Sequence, residues 1–357
     1  MSGWDHGPVM TSAPIPTDPA AQLPPGWTSS PAGASDVPAL HALLVRHEQA
    51  ARGGSGVSVE EVEADVVGSG AASRRHQVLR DADDGIRGWA TAWDRAAGRV
   101  IVAVVVDPSL DADDADAAGL ALYSMVADEA AHHARERGLE MTQLDAGAFA
   151  GDERQHRWLD ASGYEHVRTW WQMSRPVVPA EAEAGAFPPP KEGVVVRQVD
   201  QPAEGARPVD DDLRAVHDVM EEAFTDHFNY HSESFDEFVE RLREAHGHRW
   251  DHWWLAELVD GPAQPAGALV SEVVPGGEGE PDGSYVSYIG VLRNARGRGV
   301  GRSLLQAVIA AAASRGRDHV GLEVDATSPT GAEHLYTSIG FATKYVTESW
   351  HRDLPVS

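Results

Sequence analysis

The first half of the chain combines apolar runs with one long helical pattern. Residues 85–94 ("GIRGWATAWD") and 98–107 ("GRVIVAVVVD") are rich in β-branched and aromatic side chains, which predicts two strands joined by a short turn. Residues 119–138 repeat apolar side chains at helical spacing, and Gly138 is placed to end that helix. The next apolar run, 139–147, predicts a further strand.

The second half repeats this order of elements. Two apolar runs, "WWLAEL" and "PAGALVSEVV", precede a predicted strand at 284–291 ("SYVSYIGV"). After a glycine-rich loop, a predicted helix places Val300, Leu304 and Val308 on one face, and residues 319–326 ("HVGLEVDA") predict another strand. A strand, a helix and a strand in this order form an α/β unit with a parallel pair of strands.

The two halves repeat each other at a spacing near 178 residues. Gly138, which follows "ARER", and Gly316, which follows "ASR", are 178 positions apart, and Gly163 and Gly340 are 177 apart. This spacing is too long for a solenoid repeat and fits a duplicated domain.

Segments rich in proline divide the chain. Residues 1–35 hold seven prolines without apolar periodicity, which predicts a disordered leader. Residues 178–193 ("VPAEAEAGAFPPPKEG") have the composition of a semi-rigid linker. We therefore expect two domains, at 36–177 and 194–357.

Composition and charge limit the kinds of site and ligand that the protein can have. The 357 residues include no cysteine, which rules out disulfides, thiolate metal sites and cysteine nucleophiles. We find neither a basic-then-apolar leader nor an apolar run long enough for a bilayer, so we expect no membrane span and a cytoplasmic location. The formal net charge of −27 disfavours nucleic acid and favours cationic small molecules or basic partners, although a role in solubility alone explains the acidity equally well.

The loop "RGRGVG" at 296–301 carries the clearest chemical signal. The P-loop pattern fails because no Lys-Ser or Lys-Thr pair follows these glycines, and the dinucleotide pattern GxGxxG fails on spacing. The pattern Arg-x-x-Gly-x-Gly fits, with Arg296, Gly299 and Gly301 between a predicted strand and a predicted helix. Such a turn points successive N–H groups inward, and the helix end adds its own N–H groups and positive dipole. The loop therefore predicts a diphosphate site; the alternative is a tight strand-to-helix turn.

The loop and the sequence after it resemble the acetyl-coenzyme A signature of the GNAT acetyltransferase superfamily. The matching stretches are "IGVLRNARGRGVGRSLLQ" and "VGLEVDATSPTGAEHLYTSIGF", the second of which contains Leu-Tyr-x-x-x-Gly-Phe at 335–341. The duplicated layout is similar to that of the tandem GNAT proteins typified by mycothiol synthase. The resemblance implies an α/β fold of two tandem GNAT-like domains, each a mostly antiparallel sheet with a central parallel pair of strands, flanked by helices.

The resemblance also implies acetyl-CoA as the acyl donor, with no metal. In the family the loop binds the coenzyme's pyrophosphate, while the strand before it binds the pantetheine arm and polarises the thioester carbonyl through a backbone N–H group. Ser328 stands where many members carry an asparagine that bonds pantetheine. The positions of this chain that match are Ile289, Gly290, Val291, Arg296, Gly297, Arg298, Gly299, Val300, Gly301, Arg302, Ser303 and Ser328.

Catalytic and acceptor-binding residues are implied in the same way. Tyr336 matches the family's general acid, which protonates the departing thiolate. The general base is left open among Glu272, Glu323, Asp226 and His227. A loop that recognises the amine is expected at Asp226, His227, Tyr230 and His231. The alternative for that loop is a solvated surface segment.

The first half lacks both the loop and the acid. Four aspartates between positions 111 and 116 crowd the place of the glycines, where their charges would repel a pyrophosphate. Leu159 stands four residues before Gly163, as Tyr336 stands four before Gly340. We expect a degenerate domain with a structural or acceptor-shaping role; binding of another ligand is the alternative.

The sequence therefore predicts an acetyl-CoA-dependent N-acetyltransferase that is active only in its C-terminal half. The expected acceptor is a primary amine on a small molecule, such as an aminosugar, an amino-acid conjugate, an aminoglycoside or a polyamine, and it attacks directly in a ternary complex. Two alternatives remain: a peptide or protein N-acetyltransferase, and a sensor that binds acyl-CoA without turnover. We expect no nucleic-acid or membrane partner, and either a monomer or a homodimer.

Overall fold

The computed structural model describes residues 23–68, 71–95, 98–203, 205–225, 232–243, 248–276, 279–327 and 331–356. Within these ranges the chain forms one twelve-stranded sheet with helices on both faces. The first half contributes β1 (Thr28–Pro31), α1 (Val37–Arg52), α2 (Val59–Val66), β2 (Arg74–Arg80), β3 (Ile86–Arg95), β4 (Arg99–Val106), α3 (Ala112–Glu136), β5 (Met141–Phe149), α4 (Glu153–Ala161) and β6 (Glu165–Pro176). The second half contributes β7 (Val194–Gln198), α5 (Asp210–Ala223), α6 (Phe235–Arg243), β8 (Trp253–Leu258), β9 (Gln264–Val274), β10 (Gly283–Val291), α7 (Val300–Ser314), β11 (His319–Asp325), α8 (Ala332–Ser338) and β12 (Ala342–Pro355).

The last strand of each half is inserted into the other half. The strand order is β1-β2-β3-β4-β5-β12-β6-β11-β10-β9-β8-β7. Strand β12 pairs with β5, placing Trp350 opposite Ala146, while β6 pairs with β11, placing Met173 opposite Leu322. The predicted linker at 178–193 therefore separates two copies of a repeat, but it does not separate two complete sheets.

Each half holds one parallel pair of strands inside an otherwise antiparallel arrangement, as predicted. In the first half β4 runs parallel to β5, and in the second half β10 runs parallel to β11. Both pairs are joined by a crossover helix, α3 or α7, which is the connection that parallel neighbours require. The predicted α/β class with central parallel pairs is confirmed.

The helices form two layers, one on each face of the sheet. Helices α3 and α4 cover the first half, and α7 and α8 cover the second half on the same face. The face is the same because Trp350, which packs in the core under α3, and Trp171, which packs in the core under α7, lie on one side of the β12–β6 pair. Helices α1, α2, α5 and α6 cover the opposite face. Successive side chains of a strand point to opposite faces of the sheet and so pack under both helix layers. Val104 packs under α3, and the next residue, Val105, packs under α1 and α2.

The prediction that residues 1–35 form a disordered leader is wrong for the last part of this segment. Residues 28–31 form β1, which pairs antiparallel with β2 at the edge of the sheet, and Trp27 packs against the core under α3. A proline count does not exclude this strand, because Pro31 stands at its end on an edge, where no ladder bond from its nitrogen is needed. Residues 1–22 lie outside the described part of the chain.

Candidate active site

The glycine loop connects β10 to α7 and leaves the first turn of the helix open. Gly297 and Gly299 adopt left-handed backbone angles, with φ of 77° and 84°, which residues other than glycine rarely adopt. Gly299 is the N-cap of α7, and no side chain of the described residues caps this helix. The N–H groups of the first turn therefore remain available to an anion, and the helix dipole favours one there.

Packing fixes the loop against α8. A Cβ atom on Gly301 would lie 3.3 Å from Cδ2 of Leu335, so the absence of a side chain allows α7 and α8 to approach closely. Two of the arginines predicted at the loop have partners in the protein. Arg298 pairs with Asp260, and Arg302 donates to Oγ of Ser338 at 2.7 Å. The predicted Arg296 is exposed, Val300 is buried in the helix, and Ser303 closes its first turn by donating N–H to Gly299 O at 3.0 Å.

Strand β10 separates from β11 just before the loop. Their described pairing runs from Ser284 opposite Val320 to Val286 opposite Leu322 and goes no further, and β10 has an irregularity between Val286 and Tyr288. Beyond that point Ile289, Gly290 and Val291 pair only with β9 among the described strands. Their other edge faces the gap that opens toward β11, and an extended ligand could pair with it as a strand would.

Tyr336 lies in α8 with its side chain almost fully buried. It is 6% exposed and packs edge-on against Phe341, with ring centroids 6.1 Å apart. Burial raises the pKa of Tyr336 to about 12, because the phenolate would lose its hydration. The phenol therefore stays protonated near neutral pH and can act as a proton donor.

A cleft of about 1110 Å³ lies on the opposite face of the sheet and is walled by both halves. Glu272, Ser287 and Tyr285 from β9 and β10 line it from the second half, while Arg52 of α1 and Glu61 of α2 line it from the first. Because Ser287 is adjacent to the point where β10 leaves β11, the cleft meets the strand gap at the centre of the sheet. A donor held along the gap and an acceptor held in the cleft would meet there.

The two predicted glutamates differ in their surroundings. Glu272 lines the cleft, and burial raises the pKa of its carboxyl, an effect that the hydrogen bond with Ser287 opposes and the negative charge of Glu61 reinforces. Glu323 is exposed on β11 and accepts a hydrogen bond from Nε2 of Gln172 at 2.8 Å. Of the two, Glu272 is the better placed to accept a proton inside the cleft.

Two arginines that line the cleft, Arg52 and Arg241, are each paired with a glutamate. Arg52 lies over the ring of Tyr345 at 5.1 Å and donates to Glu48 at 2.6 Å. Arg241 of α6 donates to Oη of Tyr288 at 2.7 Å and pairs with Glu233. The sequence did not predict the contact of Arg52 with Tyr345, because no local pattern indicates that α1 of the first half lies beside β12. The contact of Arg241 with Tyr288 joins positions 47 apart and has no local signal either.

Some predicted site residues lie outside the described part of the chain. These are Ser328, Asp226, His227, Tyr230 and His231. Among the residues that the structure does describe, no three His, Asp or Glu side chains gather in a way that could hold a metal ion. In the same ranges, no helix is both long and apolar enough to cross a bilayer.

The corresponding region of the first half is closed. Strand β4 leaves β5 after Val102 opposite Ala146, but Gln155 of α4 fills the gap: its Nε2 donates to Val104 O at 3.3 Å and to Gly147 O at 3.5 Å. Oε1 of the same side chain accepts from Phe149 N at 3.3 Å. The gap between the strands is thus occupied by protein.

The helix end that follows β4 is also occupied. Asp111 caps α3 by accepting the N–H of Asp114 at 3.0 Å, so a carboxylate of the chain takes the place an anion would need. Asp107, four residues earlier in the chain, is buried and accepts from Arg46 at 2.9 Å. Leu159, in the position of Tyr336, is fully buried and has no titratable group.

Known proteins resemble the chain in both sequence and fold. Residues 213–341 match the family model described as "Acetyltransferase (GNAT) family". No curated protein matches the chain significantly in sequence. Among solved structures, a GCN5-related N-acetyltransferase from Sphaerobacter thermophilus has a TM-score of 0.72 and 22% identity, with 93% of this chain and 97% of that chain covered.

Two further structures share the fold. A tandem GNAT protein from the clavulanic acid biosynthesis pathway has a TM-score of 0.65 and 14% identity, with 93% of this chain and 99% of that chain covered. A glucosamine N-acetyltransferase region of a fungal multi-domain β-N-acetylglucosaminidase has a TM-score of 0.63 and 14% identity, with 92% of this chain and 38% of that chain covered. At such identities these likenesses establish the fold alone. Residues 213–341 match the GNAT acetyltransferase family model, within a fold that the chain shares with a tandem GNAT protein.

Proposed function

We propose that the protein transfers an acetyl group from acetyl-CoA to a primary amine of a small molecule, and that only its C-terminal half does so. The observation that carries the proposal is the conjunction of three features at one place. These are the uncapped start of α7, the open edge of β10, and a cleft that reaches the same gap from the other face.

The residues of the second half fit an acyl-CoA donor. The N–H groups of Gly297, Gly299, Val300 and Gly301 would hold the pyrophosphate, since they lie around left-handed glycines at a positive helix end, whereas the N–H of Arg298 donates to Ala295 O. The free edge of Ile289, Gly290 and Val291 would pair with the pantetheine arm, and an N–H group on that edge would polarise the thioester carbonyl. When bound, the coenzyme supplies the activated acetyl group; the chain supplies orientation and proton transfer.

Proton transfer is assigned to Tyr336 and Glu272. Tyr336 would protonate the departing thiolate, for which its raised pKa keeps the proton in place at neutral pH. Glu272 would accept the proton of the attacking amine, because it lines the cleft and burial makes its carboxylate a stronger base than an exposed one. Glu323 is the weaker candidate because it is exposed and bonded to Gln172.

A single active half is supported by the closure of the other. In the first half Gln155 occupies the strand gap, Asp111 occupies the helix end, and Leu159 replaces the acid. Three separate requirements of the donor site are therefore missing at once. The first half instead provides one wall of the cleft, through α1 and α2.

The acceptor is proposed to be an aminosugar, an amino-acid conjugate, an aminoglycoside or a polyamine. The cleft is large enough for any of them and is lined by carboxylates, aromatic rings and arginines, which suits a polar amine with hydroxyl or carboxyl groups. The glucosamine activity named for the fungal structural relative makes an aminosugar the first acceptor to try. A peptide amine is the alternative acceptor, and an acyl-CoA sensor is the alternative without turnover.

The test is amine-dependent release of CoA by the full-length chain. The intact protein would be incubated with acetyl-CoA and each member of a panel of aminosugars, amino-acid conjugates, polyamines and short peptides, and free thiol would be followed. We expect at least one small amine to accelerate thiol release over the amine-free rate. Tight acetyl-CoA binding with no response to any amine would instead favour the sensor, and absence of acetyl-CoA binding would contradict both.

A further inference from the structure

The linker between the two halves lies across α7 as a strap, which we define as residues 178–193. Residues Pro179–Ala182 form a short 3₁₀ helix packed against α7. Glu181 accepts hydrogen bonds from Arg175 at 2.5 Å and from the N–H of Val178 at 3.0 Å. Further along, Phe187 packs against the core beneath α7. The strap, which the composition predicts to be a semi-rigid linker, therefore follows a fixed path along α7.

The end of the strap is joined to the glycine loop. Lys191 O accepts the N–H of Val194 at 3.0 Å, and Gly193 O accepts the N–H of Val259 at 2.9 Å. Asp260, the residue after Val259, pairs with Arg298 of the loop. This end of the strap thus shares a network with the loop itself.

Lys191 reaches from the strap over the loop. Its Nζ donates to Gly297 O at 3.0 Å, and its Cδ lies 3.4 Å from where a Cβ of Gly299 would be. The ammonium group has three donors, and the bond to Gly297 uses one of them. The side chain is exposed, so the ammonium lies where the loop meets solvent. The whole chain contains only two lysines, Lys191 and Lys344, and one of them is at this loop.

We propose that Lys191 binds a phosphate group of the coenzyme, an inference that rests on the proposed function. An anion at the loop must enter the field of a chain with a net charge of −27, so local cations are needed. Arg298 is paired with the carboxylate of Asp260, whereas Arg302 donates to the neutral hydroxyl of Ser338 and keeps its charge. Among the described residues at the loop, Lys191 therefore adds an exposed cation to Arg296 and Arg302. The linker between the repeats thereby becomes part of the donor site.

The test compares acetyl-CoA with acetyl-dephospho-CoA on the full-length chain. Lys191→Met keeps a flexible side chain of similar length and removes the charge, and Lys191→Arg keeps the charge. Arg157→Met is the matched control, because Arg157 is an exposed cation on α4 that pairs with Asp116 far from the loop. For loss of one charge-assisted bond we expect the Kd of acetyl-CoA to rise about tenfold in Lys191→Met. We expect kcat at saturation to stay unchanged and the loss to shrink as salt rises.

The two donors distinguish which phosphate is bound. An equal loss for both donors assigns Lys191 to the pyrophosphate, and a loss confined to acetyl-CoA assigns it to the 3′-phosphate; either supports the proposal. Wild-type affinity of Lys191→Met for both donors would overturn it. So would an equal loss in Lys191→Arg, which would trace the effect to the strap's packing. Failure of the unaltered protein to bind acetyl-CoA would instead remove the proposed function.

Discussion

Gln155 and Ala332 stand at matching positions of the two sequence repeats, and Gln155 has an amide side chain that closes the gap between parallel strands, whereas Ala332 has only a methyl group. Each stands eight residues before the glycine that ends its helix, Gly163 or Gly340. Gln155 is 4% exposed and bonds to Val104, Gly147 and the N–H of Phe149 across the gap. The methyl group of Ala332 cannot form such a bridge between β10 and β11.

Substituting Ala332→Gln is expected to close the second half as the first is closed. The new amide would bond across the gap and exclude the pantetheine arm, so the Kd for acetyl-CoA should rise by at least about tenfold, or about 1.4 kcal/mol. Calorimetric titration with acetyl-CoA measures this. The matched control is Gln155→Ala, which lies in the other half and should keep wild-type acetyl-CoA affinity. Unaltered binding by Ala332→Gln would show that the gap is not the route of the donor.

Tyr336→Phe should reduce turnover and leave folding intact. The phenyl ring keeps the contact with Phe341, while the proton donor is lost. General acid catalysis contributes about 100-fold or more, so kcat should fall by that order with the Kd of acetyl-CoA unchanged. Steady-state rates with a responsive amine and a thermal melt measure the two effects. A variant with wild-type kcat near neutral pH would remove Tyr336 from the mechanism.

The pH dependence of the reaction rate should reflect the ionisation of Glu272. A base must be ionised to act, so the rate should fall as pH falls through the pKa of Glu272, which burial raises above the ordinary glutamate value of 4.5. Glu272→Gln should therefore lower kcat and remove this acidic limb. Glu323→Gln makes the same change on the neighbouring strand and should keep the limb. If instead the limb disappears only in Glu323→Gln, the assignment of the base is reversed.

The exchanged strands predict that the halves cannot be separated. A piece that begins at residue 184 lacks β6, so β11 would keep only its parallel partner β10 and Leu322 would lose its contact with Met173. Such an open edge exposes backbone groups that favour aggregation. We expect this piece alone to lack a cooperative melt and to bind no acetyl-CoA, whereas the two pieces produced together should assemble and bind it. Full binding by the isolated piece would contradict the shared sheet as a requirement for the site.

The sequence was informative wherever the signal was local. Strand and helix patterns predicted both parallel pairs, and the spacing around Gly299 and Gly301 predicted a loop that the structure places at the start of α7. The exchange of β6 and β12 has no such signal, since it depends on pairing between strands about 150 positions apart, such as Met173 and Leu322. The cleft could not be predicted for the same reason, because Arg52 and Glu61 line it only when the two halves share a sheet.

A calorimetric titration of acetyl-CoA into the full-length chain distinguishes one donor site from two or none. We expect saturable binding with one molecule per chain, because the second half has an open helix end and strand gap while Asp111 and Gln155 fill those places in the first. Two equivalent sites per chain would contradict the closure of the first half. No binding at all would contradict the donor site itself.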